Sequence, residues 1–89
     1  MLWQIKFSEQ AKRDLRKLDK PIREKIENFF DERLLSYDNP RSVGKPLKGN
    51  LTGRWRYRVG DYRIVCRIYD DILTIEAIKI GHRSKVYDD

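Results

Sequence analysis

The periodicities of this chain predict an α+β fold in the order β-α-α-β-β-β, with two N-terminal helices packed on one face of a mainly antiparallel four-stranded sheet. Three observations carry that expectation. Apolar side chains recur at every second residue near the amino terminus, at every third or fourth residue between Ala11 and Leu34, and at every second residue again from Arg54 onward. Two tight-turn signals, Gly60-Asp61 and Asp70-Asp71, divide that last stretch into three strands. The 89 residues are enough for one domain spanning 1–89 and too few for two.

Residues 2–7 alternate, with Trp3, Ile5 and Phe7 on one face and Leu2, Gln4 and Lys6 on the other, a half-buried strand. Ser8 is placed to cap a short helix whose inner stripe is Ala11, Leu15 and Leu18. Lys12, Arg13, Arg16, Lys17 and Lys20 cover the other side of that helix. Such a run reads either as an ordinary solvated face or as a docking surface for a phosphate backbone. Pro21 suits the first turn of a second helix. Ile22, Ile26, Phe29, Phe30 and Leu34 then form its core stripe, which is packing and no more. Asp38-Asn39-Pro40 stops the helix near Tyr37, and residues 38–52 read as a loop.

Residues 54–59 alternate strictly as Arg-Trp-Arg-Tyr-Arg-Val. With Gly60-Asp61 as a two-residue turn, Val59 faces Tyr62, Tyr57 faces Ile64 and Trp55 faces Cys66, all toward the helices. The other face then pairs Arg58 with Arg63 and Arg54 with Arg67, and sets Arg56 across from Val65. A second two-residue turn at Asp70-Asp71 places Glu76 beside Val65 and Ile78 beside Arg63, which makes Glu76 the expected internal counter-ion. Like charges directly opposite one another destabilise a sheet. An arginine ladder of this kind therefore points to a bound anion, and the planar guanidinium fork suits phosphate.

Composition agrees. Lys plus Arg is 20 against 14 Asp plus Glu, a net charge of +6 and a pI near 9.6, the electrostatic footprint of a nucleic-acid partner. The excess is local: residues 41–60 carry Arg41, Lys45, Lys48, Arg54, Arg56 and Arg58 and no acid, while residues 1–40 are nearly balanced. One cysteine, Cys66, excludes an internal disulfide and a thiolate metal cluster. With one histidine and no ligand pattern among the acids, the expectation is no metal and no cofactor. No leader is visible in residues 1–7, and no apolar run reaches the ~18 residues of a membrane span, so a cytoplasmic protein with no membrane partner is expected. In the tail, Arg83 offers a further cation, and His82 and Tyr87 are the groups there able to move a proton.

At this point the sequence resembles the RelE-type toxins of bacterial toxin–antitoxin pairs, within the RelE/ParE superfamily. The resemblance runs over essentially the whole chain. It rests on Leu47-Lys48-Gly49, on Gly60-Asp61-Tyr62-Arg63-Ile64-Val65, and on Ile80-Gly81-His82-Arg83 with Val86-Tyr87. It implies an endoribonuclease that cuts mRNA in the decoding site of the 70S ribosome, inhibits translation, and is wrapped by a cognate RelB-like antitoxin. It also implies that Arg63, Arg83 and Tyr87 are active-site residues. Arg56 and Arg58 stand where RelE-like enzymes often carry lysine, so their role would be electrostatic, since an arginine cannot serve as a base.

The chemistry expected of these residues is attack of an RNA 2′-hydroxyl on the adjacent phosphate, with Arg56, Arg58, Arg63 and Arg83 around the phosphorane. Tyr87 is the first candidate for general base or base-stacking platform and His82 the second. Lys12, Arg13, Arg16, Lys17, Lys20, Lys45, Lys48 and Arg54 are expected to bind RNA or the ribosome. Two alternatives from other classes stay open: a ParE-like, non-nuclease toxin that inhibits DNA gyrase, and an RNA-binding module without chemistry.

Overall fold

The structure, a computed structural model, describes residues 3–36 and 38–82. Its strands are β1 (Gln4–Phe7), β2 (Lys45–Pro46), β3 (Trp55–Val59), β4 (Tyr62–Tyr69) and β5 (Thr74–His82), and its α-helices are α1 (Glu9–Arg16) and α2 (Lys20–Asn28). The class is α+β, but the sheet is not four-stranded and mainly antiparallel. It is five-stranded and mixed, in the order β1-β5-β4-β3-β2, with β1 parallel to β5. Two features hid this from the sequence. β2 has two residues, too short to show a period, and one of them is Pro46, which a sheet accommodates at its edge. The neighbour of β1 is set by β5, some 70 positions away, where no local pattern reaches.

Apolar positions decide the layering. Ala11, Ile26, Phe30 and Leu34 from the helical side and Tyr57, Ile64, Cys66, Ile75, Ala77 and Ile80 from the sheet form one buried cluster. Ile22 and Phe29 pack against it, so the stripe expected of the second helix is present. Its backbone changes pitch, however. After Asn28 the α-helix passes into a π turn at Phe29–Arg33 and a 3-10 turn at Leu34–Ser36. The wider turn keeps the adjacent Phe29 and Phe30 both against the core. Phe30 meets Phe7, Phe29 and Tyr57 at ring-centroid distances of 5.6, 5.4 and 6.2 Å, all steeply inclined.

The Gly60-Asp61 hairpin has the expected register, from Val59 opposite Tyr62 to Trp55 opposite Cys66. The next connection differs. It is the four-residue turn Asp70-Asp71-Ile72-Leu73, with Leu73 at φ 48°, and Tyr69 pairs with Thr74. Ile72, which reads as strand in the sequence, is 60% exposed at the turn. A bulge follows: Cys66 pairs with Ala77 but Val65 pairs with Lys79, leaving Ile78 as the extra residue. The expected neighbours Glu76–Val65 and Ile78–Arg63 are therefore replaced by Glu76–Arg67 and Gly81–Arg63. Arg54 lies before β3 and does not pair with Arg67.

Strand β1 accompanies β5 only as far as Ala77. Beyond it, α1 supplies the partners that a strand would have given. The Ser8 amide donates to the Ala77 carbonyl at 2.9 Å, and the Ser8 hydroxyl donates to the Ile78 carbonyl at 2.9 Å. That same hydroxyl caps α1 by accepting from the Ala11 amide at 3.0 Å. One turn further on, Asp14 Oδ2 accepts from the Ile80 amide at 2.9 Å, while Oδ1 accepts from Gln10 Nε2 at 2.8 Å. Asp14→Ala strands the Ile80 N–H and is expected to lower unfolding free energy by about 1–3 kcal/mol, whereas Asp14→Asn keeps an acceptor and loses less. Urea titration of the two variants checks this, and equal losses would remove the hydrogen bond as the cause.

Candidate active site

Strand alternation sends Arg56, Arg58 and Arg63 to the face away from the helices, because their neighbours Tyr57 and Ile64 are buried beneath them. Arg58 lies directly opposite Arg63, and Arg56 is opposite Val65. Arg63 is opposite Gly81 on its other side, so no β5 side chain stands over it. Arg58 is exposed, while Arg56 and Arg63 are half-buried. Val65 between them is covered by Leu47 and Leu51, a small apolar cluster that walls one side of the cationic face. Glu76 is not the counter-ion of this pair. It lies beside Arg67 and accepts from the Tyr69 hydroxyl at 3.2 Å.

The remaining expected docking residues divide among four places. Lys45 is in β2 opposite Arg56, and with Arg56 and Arg58 it lines a cleft of about 300 Å³ beside Phe29 and Arg33. Gly44 makes that approach possible: at φ 83°, any β-carbon there would run into the Arg56 carbonyl and the Trp55 indole. Lys48 is exposed at the start of the 3-10 turn Gly49–Leu51, and Arg54 lines a separate cleft with Arg41 and Ile68. Lys12, Arg13 and Arg16 of α1, with Lys17 and Lys20 beside it, are exposed on the helical side of the sheet, so the structure does not bring them together with the arginine face. Two of them contact their own helix, Lys12 with Glu9 at 3.4 Å and Arg13 with Gln10 at 3.1 Å.

His82 pairs with Tyr62, two residues beyond the buried Ile80, and so belongs to the helical face rather than the arginine face. Its ring meets Tyr62 edge-to-face at 5.6 Å. Arg83 and Tyr87 lie outside the described residues. Of the other proton-bearing side chains, Tyr57 is committed: its hydroxyl donates to the Pro40 carbonyl at 2.7 Å, and burial above all pushes its phenol pKa up. Burial likewise pushes the Cys66 thiol well up, away from a reactive thiolate. Among the described residues, no three His, Cys, Asp or Glu side chains converge as a metal site, and no helix is long and apolar enough to cross a membrane.

The site residue that sequence reasoning missed is Lys79. It pairs with Val65 and therefore shares the face of Arg56 and Arg63. Only the bulge puts it there, and a bulge leaves no periodic trace.

Comparison with known proteins fits this geometry. The family described as the ParE toxin of the type II toxin–antitoxin system parDE matches residues 5–87. This chain belongs to the RelE/ParE superfamily of toxins. The superfamily's toxin RelG of Mycobacterium tuberculosis is 36% identical over 88 residues, 98% of each chain, and toxin RelE of the same organism is 36% identical over 85 residues, 96% of this chain and 86% of that one. Among solved structures, the RelBE2 toxin–antitoxin complex from M. tuberculosis superposes with a TM-score of 0.83 at 33% identity, covering 96% of this chain and 95% of that one. The archaeal RelE–RelB complex from Pyrococcus horikoshii gives 0.71 at 26% identity, covering 96% and 99%.

One ion pair holds the loop of this RelE/ParE toxin in place. Arg41 donates from Nη1 and Nη2 to the two Asp70 oxygens at 2.9 and 3.0 Å, tying the turn Pro40–Ser42 to the β4–β5 connection. The hydrogen bond to Arg41 holds the Asp70 carboxyl below its ordinary value of 3.8. A carboxyl lowered in the folded state stabilises it above the ordinary value and ceases to as pH falls through the lowered one. Both side chains are exposed, so the effect is small. Asp70→Asn is expected to melt below the parent at neutral pH, with the difference vanishing once the medium is acid enough to protonate Asp70. Thermal melts across that range check it, and a gap that persists in acid would exclude the ion pair as its source.

Proposed function

We propose that this toxin is a ribosome-dependent, metal-independent endoribonuclease that cleaves mRNA in the decoding site, inhibits translation in the cytoplasm, and is neutralised by a cognate RelB-like antitoxin. The observation that carries the reading is Arg58 directly opposite Arg63, with Arg56 alongside, on an open sheet face. Cations arranged so close together stabilise the charge that builds on phosphate oxygens as a phosphorane forms. The reaction that fits is transfer within RNA. The 2′-hydroxyl oxygen bonds to phosphorus, its proton passes to a base, and the bond to the 5′ oxygen breaks as that oxygen takes a proton from water, leaving a 2′,3′-cyclic phosphate and a 5′-hydroxyl.

The arginines stay protonated throughout, so they bind and stabilise but do not take the proton. Tyr87 is the base in this proposal, and Arg83 is a further cation of the site. His82 stands second, since its strand position turns it to the other face. Such a site depends on the ribosome to hold the RNA in line, a contribution of about 7–11 kcal/mol when fully realised. The cations of α1, with Lys45, Lys48 and Arg54, are assigned to RNA or ribosome docking. Likeness to the RelBE2 and archaeal RelE–RelB complexes supports the antitoxin partner.

Primer extension on mRNA incubated with the purified protein, with and without programmed ribosomes, tests the reading. Discrete cuts are expected only with ribosomes, and Tyr87→Phe is expected to abolish them while leaving ribosome binding within about threefold, as removal of a base alone should. Cutting by that variant at the parent rate would exclude Tyr87 as the base. The second reading is a gyrase poison, favoured by the ParE description of the matching family. Against it stand the RelE and RelG names of the relatives at 36% identity and the arginine pair, which gyrase inhibition does not require. Absence of cuts under both conditions, with inhibition of DNA supercoiling, would decide for it.

A further inference from the structure

Lys79 owes its orientation to the bulge at Ile78. The four-residue turn moves β5 by two positions against β4, and the bulge at Ile78 moves it by one more. The even step keeps the face of every side chain and the odd one inverts it, carrying Lys79 from the helical side to the side of Arg56, Arg58 and Arg63. There it is exposed, opposite the covered Val65 and two residues before Gly81. Gly81 itself lies opposite Arg63. Lys79 and Arg63 thus flank a stretch of sheet on which glycine presents no side chain. The nearest acid on β5, Glu76, lies on the other side of the bulge, with its carboxylate engaged by Tyr69.

We propose that Lys79 is a phosphate-binding residue of the RNA site, gripping a phosphate next to the scissile one held by Arg58 and Arg63. This rests on the ribonuclease reading. Residues i and i+2 of a strand are about 7 Å apart, so Lys79 is one side-chain row along from the Arg58–Arg63–Gly81 row. A single phosphate gripped by the arginine pair leaves the next one in the strand within reach of the long lysine stem. The role is charge, and arginine can fulfil it; proton transfer would require lysine itself.

The test is binding of a fluorescent, uncleavable 2′-O-methyl oligoribonucleotide to the full chain, followed by anisotropy over a salt series. Lys79→Gln is expected to bind about tenfold more weakly at low salt and to lose about 0.7 from the slope of log affinity against log salt, the share of one phosphate contact in single-stranded RNA. Lys79→Arg is expected to restore both. Affinity and slope unchanged in Lys79→Gln, a loss that Lys79→Arg does not restore, or no binding by the parent overturns the proposal. So does a loss confined to an acidic peptide probe, which would make the face a protein-docking surface. Primer extension on the same proteins separates the two levels. If the parent cuts on ribosomes and Lys79→Gln binds RNA normally, the Lys79 assignment alone falls; if the parent never cuts, the ribonuclease reading falls.

Discussion

Arg63→Ala is expected to lower ribosome-dependent cleavage by about 10²–10³-fold, the usual consequence of removing one preorganised stabiliser of transition-state charge. Its stability should stay within about 1 kcal/mol of the parent, because the change removes one of two like charges facing each other across β3 and β4 and leaves the helical core untouched. Arg63→Lys separates charge from shape. It retains a cation but not the two-pronged donor that matches phosphate oxygens, so an intermediate loss is expected. Cleavage rates with programmed ribosomes and urea midpoints on the same preparations check both halves. A stability loss above about 2 kcal/mol would show Arg63 holding the sheet together, and the fall in cleavage would then say nothing of phosphate.

Phe30→Ala is expected to cost about 3–5 kcal/mol of unfolding free energy. The side chain is fully buried and meets three other rings, Phe7 of β1, Phe29 of the π turn and Tyr57 of β3. It therefore joins β1, at one edge of the sheet, and β3, next to the other edge, to the helical layer. Domains of this size are stable by roughly 5–10 kcal/mol, so the variant should retain only a small margin. Ile72→Ser, at a residue 60% exposed in the β4–β5 turn, serves as the comparison and should shift the midpoint by less than about 0.5 kcal/mol equivalent. A loss below about 1.5 kcal/mol for Phe30→Ala would mean that the surrounding rings close over the space.

What could be read from the sequence was whatever local periodicity or a tight turn encodes. The stripe Ile26-Phe30-Leu34, the Ser8 cap and the hairpin register that sets Arg58 against Arg63 are all of this kind, and all three are present. The errors share a cause as well. Asp70-Asp71 looks like a two-residue turn because Ile72 and Leu73 are apolar, yet both belong to the turn, and Leu73 takes a positive φ that no pattern of hydrophobicity announces. From that point the expected register is displaced by two, which misplaces Glu76 as counter-ion, and the bulge at Ile78 then hides Lys79. The two-residue β2 and the parallel pairing of β1 with β5 depend on contacts between distant segments.

The extra residue at Ile78 also bears on which lengths of chain this fold can accept. Strand β5 faces the core with Ile75 and Ala77 before the bulge and with Ile80 after it, an odd step inserted in an otherwise even count. A substitution at Ile78 leaves that count intact. Removal of a single residue between Ala77 and Ile80 takes out the bulge and leaves Ala77 and Ile80 two apart, both still facing the core, whereas removal of two would turn Ile80 outward and bring Gly81 in. Homologous toxins should therefore vary freely in length at the Asp70–Leu73 turn, and between Ala77 and Ile80 should differ by the one residue of the bulge but not by two.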